Sequence, residues 1–218
     1  MRPGGRPILV PTAVFASGNG SNLQAVIDAS AAGTLPLDIR LVVTNNPKAL
    51  ALARAARANI PALVIPFLKA HESRSDYGIR LARAVRAKGV QLVLLLGWMH
   101  VLAREFVDAG FAGILNLHPA YLPEDPRADR VTFPDGTTTR VFRGAHALRD
   151  ALEAGVTMTG ATLIEITPEI DRGYVLARRT FAFADGDDEK KALERLHDVE
   201  REVVREGVLV WLRTHHHG

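Results

Sequence analysis

Residues Val90 to Trp98 read VQLVLLLGW. Apolar side chains follow one another here almost without the alternation of a strand that shows one face to water, so this strand is expected to be buried on both faces. Such a strand needs helices above and below it, and the flanking chain supplies them. Upstream, TAVFA (12–16), IRLVVTN (39–45) and ALVIPF (62–67) read as strands. Between them lie the helical stretches SNLQAVIDASAAG (21–33), PKALALARAARAN (47–59) and the arginine-rich SRSDYGIRLARAVRAKG (73–89). Downstream, a short helix AREFVDAG (103–110) leads to the strand GILNLH (113–118). Strand, helix, strand at this spacing predicts an α/β fold: a Rossmann-like, open, mostly parallel sheet with helices on both faces and right-handed crossovers.

After His118 the pattern changes. Residues 119–143 hold four prolines and many charges, and VTFPDGTTTRVF (131–142) suggests a small hairpin turning at Asp135-Gly136. GAHALRDALEAG (144–155) reads as a helix. VTMTGATLIEIT (156–167) and GYVLARRTFAF (173–183) read as late strands pairing antiparallel, and residues 187–214 as a long closing helix. The domain reading is a flexible leader at 1–11, a single domain at 12–213 with a long loop at 119–143, and a disordered tail at 214–218.

The chain has 218 residues, 47% of them hydrophobic and 23% charged, with a formal net charge of +3 and no cysteine. The missing thiols exclude a disulfide framework, thiolate metal sites and a cysteine nucleophile. The charge is too mild and scattered to argue for nucleic acid. No apolar run approaches the roughly 20 residues of a membrane span. Small-molecule substrates, no metal and a cytoplasmic location are the expectations, and a homodimer is compatible with them.

In open sheets of this kind ligands bind outside the carboxyl ends of the strands. Four stretches fall there: SGNGSN, NNP, GWMH and NLHP. In SGNGSNL (17–23) two glycines allow a tight turn, and the amides opening the following helix attract an anion. Gly20, Ser21 and Asn22 are the expected phosphate donors. The stretch is neither a dinucleotide fingerprint, since Leu23 stands at the third glycine position, nor a P-loop. Asn116 and His118 end the last parallel strand two residues apart, hence on one face. Asp171, in PEIDRGYVL, sits in a turn between the late strands. A carboxylate close to an imidazole favours the imidazolium, but the sequence alone does not bring Asp171 to His118.

The stretches FASGNGSNLQAVID, GWMHVL, ILNLHPAYLP, GAHALRDALEAG, TGATLIEITPEIDRGYVL and HDVE, in this order, resemble the phosphoribosylglycinamide formyltransferases. These are folate-dependent enzymes of purine biosynthesis, and the resemblance runs from Ala13 to Leu212. It implies the formyltransferase fold and transfer of a formyl group from 10-formyltetrahydrofolate to glycinamide ribonucleotide. It also implies that Gly20, Ser21 and Asn22 hold the phosphate, with His197, Asp198, Val199 and Glu200 on the rest of the ribonucleotide. Arg74, Met99, His100, Val101, Leu102 and Asn116 would bind the folate, with Thr167, Pro168, Glu169, Ile170 and Asp171 closing over its pterin. Asn116 and a protonated His118 would stabilise the oxyanion, Asp171 keeping His118 charged and helping to relay the proton.

Three departures from the family pattern stand out. His100 replaces the usual arginine of GWMHVL. The segment between HPAYLP and GAHALRDALEAG is longer than usual. The spacing from Glu200 to Trp211 also exceeds the usual one, which makes Glu202 a rival of Glu200. The competing functions are another folate-dependent formyltransferase or hydrolase of the same fold, and a non-catalytic phosphate- or nucleotide-binding module.

Overall fold

A computed structural model describes residues 8–144, 146–166 and 173–215. Its elements follow in chain order as β1 (Val10–Phe15), α1 (Ser21–Ala31), β2 (Leu37–Thr44), α2 (Ala51–Arg57), β3 (Ala62–Val64), α3 (Arg74–Arg86), β4 (Leu92–Leu95), α4 (Arg104–Val107) and β5 (Gly113–His118). Then come β6 (Arg130–Thr132), β7 (Thr138–Arg140), α5 (Ala147–Glu153), β8 (Met158–Glu165), β9 (Tyr174–Ala182) and α6 (Glu189–His215). The main sheet has seven strands in the order β3-β2-β1-β4-β5-β8-β9. The first five run parallel, while β8 pairs antiparallel with both β5 and β9.

The VQLVLLLGW stretch explains the layering. Leu92, Leu94 and Leu96 join one apolar cluster with Leu23 and Val26 of α1 and Leu196 and Val203 of α6. Val93 and Leu95 join a second cluster, with Leu81 and Val85 of α3 and Phe106 of α4. Alternate residues of one strand therefore feed two cores, the double-sided burial that its unbroken apolarity predicts. At about 25 cal/mol per Å² of apolar surface removed from water, these two cores supply the main driving force of folding.

The chain order places the site. From β1 the chain steps outward through β2 to β3, then returns to the other side of β1 for β4 and β5. The carboxyl ends of β1 and β4 thus flank a topological switch point, where open sheets of this class leave a crevice. The loops leaving those two strands are stitched together there: Ser17 N–H donates to Gly97 O (3.0 Å), and Met99 N–H donates to Ser17 Oγ (3.1 Å).

Several boundaries differ from the sequence reading. Strand β1 starts at Val10, inside the stretch taken as leader, because Val10 and Pro11 pair with Leu37 and Asp38 of β2. Pro11 has no N–H to give, and a register shift between Thr12 and Ala13 follows it. Strand β3 is cut to three residues between Pro61 and Pro66, as an edge strand tolerates. Helix α2 omits residues 47–50, and α6 runs on through Thr214 and His215, taken as tail. There the His215 ring stacks on Trp211 at 4.7 Å, and Thr214 Oγ1 donates to Trp211 O at 2.9 Å.

The hairpin at Asp135-Gly136 forms as expected, with β6 and β7 antiparallel. It does not stand free of the domain. Val131 and Phe133 are buried, and Phe133 packs on Tyr121 at 5.6 Å. Phe142, just beyond it, is buried with Ala120, Ala147 and Ala151. Replacing residues 130–140 by a short loop should therefore leave a folded protein that is less stable by about 2–5 kcal/mol, the cost of uncovering Val131, Phe133 and their neighbours. Thermal unfolding checks this; loss of the cooperative transition would make the hairpin part of the core.

Candidate active site

Helix α1 opens without a side-chain cap and without an acidic residue in its first turn. Its N-cap is Gly20, at φ 73°, a left-handed conformation that glycine adopts without the steric cost other residues carry. The first intrahelical rung is Gln24 N–H to Gly20 O at 2.9 Å. The amides of Ser21, Asn22 and Leu23 precede that ladder and carry the positive end of the helix dipole.

A cavity of about 340 Å³ spreads from this helix end along the carboxyl edge of the sheet. Its walls are the turn Gly18–Asn22, the segment Leu95–Leu102, Asn116 to Pro119 at the end of β5, and His197 and Glu200 from α6. Asn116 pairs in register with Leu95 on one side and Ile164 on the other. His118, 3% exposed, lies 2.9 Å through Nε2 from Phe142 O. A carbonyl only accepts, so Nε2 carries the proton of that bond and the ring is oriented by it.

Glu200 is buried against the same wall and accepts from Asn22 Nδ2 at 2.7 Å. Burial pushes its carboxyl up to about 7, against the opposing pull of the Asn22 bond and the Arg201 charge. Oδ1 of Asn22 is buried and has no partner, as is the indole N–H of Trp98 among the described residues. A native structure rarely leaves such groups unpaired without a use for them. An acceptor on Asn22 fits a polar substrate with N–H or O–H donors.

The raised carboxyl of Glu200 has a consequence for stability. The folded chain keeps a proton that the unfolded chain releases between its ordinary value of 4.5 and about 7. This contribution is therefore harmless below that window, and it costs stability as the pH rises through it, on the order of 3 kcal/mol by the top. Glu200→Gln should raise the melting temperature more at about pH 8 than at about pH 5. An equal gain at both would mean that the carboxyl is not held neutral by burial.

His100 sits among aromatic rings, with centroids 6.2 Å from Phe67, 6.2 Å from Tyr77 and 5.9 Å from Trp98. Burial, and then the charge of Arg74, hold its imidazole below the ordinary range. At neutral pH this position is uncharged, unlike the arginine of the family pattern. His197 is likewise lowered, by burial first and by Arg201 second.

Of the residues expected at the site, Gly20, Ser21, Asn22, Met99, His100, Val101, Leu102, Asn116, His118, His197 and Glu200 line the cavity. Arg74 does not; it acts on the site through its charge on His100. Asp198 points outward and pairs with Arg201, and Val199 packs against the main core. Positions three apart on a helix share a face, so HDVE offers its first and last residues to the cavity and not the two between. Of the two rivals Glu200 lines the cavity, whereas Glu202 is exposed and pairs with Arg179 at 3.4 Å. Thr167, Pro168, Glu169, Ile170 and Asp171 lie outside the described residues. Sequence reasoning assigned no role to Trp98, Arg104 and Gly144, which lie on the cavity wall. Gly144, at φ 88°, is the one whose residue type could have drawn notice. Among the described residues no cluster of histidine, aspartate and glutamate is close enough to hold a metal ion, and no helix is long and apolar enough to cross a membrane.

An open α/β sheet thus brings an uncapped helix end at its switch point, and an amide and an imidazole at the end of β5, to one cavity. Residues 11–208 match the formyl transferase family, and the chain belongs to it. A phosphoribosylglycinamide formyltransferase of Mycobacterium tuberculosis is 33% identical over 202 residues, 93% of this chain and 84% of that protein. The trifunctional purine biosynthetic protein adenosine-3 of Drosophila melanogaster is 36% identical over 190 residues, 86% of this chain; the chain spans only 13% of that protein. The solved structure of glycinamide ribonucleotide transformylase 1 from Symbiobacterium toebii superposes with a TM-score of 0.81 at 30% identity, covering 93% of this chain and 87% of that one.

Proposed function

We propose that this chain transfers the formyl group of 10-formyltetrahydrofolate to the amine of glycinamide ribonucleotide. The observation that carries this reading is the convergence on one cavity of the uncapped α1 terminus, the Asn116–His118 pair and Glu200. A ribonucleotide spans that distance with its phosphate on the amides of Gly20, Ser21 and Asn22. Its polar body then lies against the unpaired Asn22 Oδ1 and against Glu200. The folate enters along Met99–Leu102, where Met99 and Val101 are exposed and apolar.

The folate brings the formyl carbon, to which the amine of the ribonucleotide adds; the new C–N bond forms as the bond to the folate nitrogen breaks. Asn116 donates its side-chain amide to the formyl oxygen as negative charge develops there, a role for which such donors are worth about 10²–10³ in rate. His118, its ring oriented by Nε2–H donation to the Phe142 carbonyl, acts in its protonated form as the acid for the departing nitrogen once the substrates are in place. The attacking amine loses a proton in turn, and Asp171 is proposed to relay it and to keep His118 charged. No metal is needed for these steps.

The test is consumption of 10-formyltetrahydrofolate by the purified chain with and without glycinamide ribonucleotide. Consumption only when both are present supports the proposal. Consumption without the ribonucleotide makes the chain a hydrolase, and none in either case leaves a binding module.

A further inference from the structure

The turn that opens α1 presents amides to the cavity only if its own oxygens are occupied elsewhere. Gly20 O is taken by the first rung of α1, and three more are held by helix α2. Ala51 N–H donates to Gly18 O at 3.2 Å. The Arg54 guanidinium donates through Nε to Asn19 O at 2.8 Å and through Nη2 to Asn19 Oδ1 at 2.7 Å. Its Nη1 reaches Gln24 Oε1 at 3.4 Å, one turn into α1. Arg54 is half-buried, and no carboxylate among the described residues pairs with it. Its positive charge is therefore uncompensated, directly behind the proposed phosphate cradle. Among the described cavity-lining side chains the one arginine is Arg104, which is exposed and already paired with Asp108.

We propose that Arg54 is a positioning residue of the phosphate cradle: its planar fork draws the Asn19 oxygens away from the cavity, so that the turn offers the anion donors only. This rests on the function proposed above. The fork geometry matters because a guanidinium reaches a backbone and a side-chain oxygen of one residue at once, which an ammonium does not. Charge adds to geometry, since a phosphate dianion entering a partly desolvated pocket gains from a fixed cation nearby. Gly20 is a poorer probe of the cradle. A Cβ there would come within 3.1 Å of Ala51 at a left-handed φ, mixing strain with lost binding.

The test pairs Arg54→Ala and Arg54→Lys with two ligands, ribose 5-phosphate for binding and glycinamide ribonucleotide for turnover. Arg54→Ala should weaken ribose 5-phosphate binding and raise the ribonucleotide KM by about tenfold or more, the scale of one charge-assisted hydrogen bond. Arg54→Lys should recover part of this. The folate KM and kcat at saturation should stay within about twofold. With glycinamide riboside, which lacks the phosphate, wild type and Arg54→Ala should be equally poor. An Arg54→Ala protein that binds ribose 5-phosphate as the wild type does overturns the inference, as does an equal loss on the riboside, which marks a merely structural role. Failure of the wild type to bind ribose 5-phosphate overturns the cradle and the inference together. Binding of ribose 5-phosphate that depends on Arg54, in a protein that transfers no formyl group, sinks the proposed function and leaves the inference standing.

Discussion

His118→Ala is expected to lower kcat by ~10²–10⁴ while the ribonucleotide still binds, because a positioned general acid contributes on that scale. The histidine is buried at the end of β5 and held through Nε2 by the Phe142 carbonyl, so alanine removes the proton donor without disturbing the α1 terminus. Asp171→Asn keeps shape and hydrogen bonding but deletes the negative charge proposed to sustain the imidazolium. It should be comparably damaging. The double variant should be little worse than either single one, since groups that act as a unit are not additive. Steady-state kinetics with both substrates varied separates kcat from KM. A normal kcat in Asp171→Asn would dissolve the pairing and leave His118 as a simple donor.

The second large effect is on stability. Trp211 is fully buried where α6 crosses the sheet, and a Cβ placed on Gly113 would meet its ring at 2.6 Å, so the ring lies directly on the backbone of β5. Its indole N–H donates to Glu165 Oε1 at 3.1 Å. Trp211→Ala should cost about 3–5 kcal/mol, a large share of the roughly 5–15 kcal/mol that holds a typical domain folded. The melting temperature should fall by roughly 10 °C, read by circular dichroism. Because α6 carries His197 and Glu200, ribonucleotide affinity should suffer with it. Trp211→Phe should restore most of both. A shift within a degree or two for Trp211→Ala would mean that α6 is anchored elsewhere.

Much of this molecule is legible in the chain because burial leaves a periodic trace. The unbroken run at 90–98 announces a strand between two helical layers, and the apolar stretches at 156–167 and 173–183 announce an antiparallel pair, although β8 proves buried on both faces. The carboxyl-edge rule then places SGNGSN, GWMH and NLHP together from the strand pattern alone. Helix ends are less legible: residues 47–50 carry helical composition yet lie ahead of α2. The facing of HDVE depends on the rotation of α6 about its axis, which the sequence states only weakly.

Least legible are contacts in which one partner is a backbone atom distant along the chain. Arg54 meets Asn19 across 35 residues, and His118 meets the Phe142 carbonyl across 24. Every residue has a carbonyl, so no residue type marks the one that orients the imidazole. The same holds for the buried environment of Glu200. Its sequence neighbours are Val199 and Arg201, and nothing local shows that its carboxyl is buried against Asn22.

The account stands most directly on where the formyl group goes. The measurement is mass spectrometry of the ribonucleotide after incubation of the purified chain with 10-formyltetrahydrofolate carrying a ¹³C-formyl group. The account predicts that the label appears on the amine of glycinamide ribonucleotide, and that it fails to appear with His118→Ala over the same interval. Label recovered as free formate, or retained on the folate while wild-type protein and ribonucleotide are both present, would contradict it.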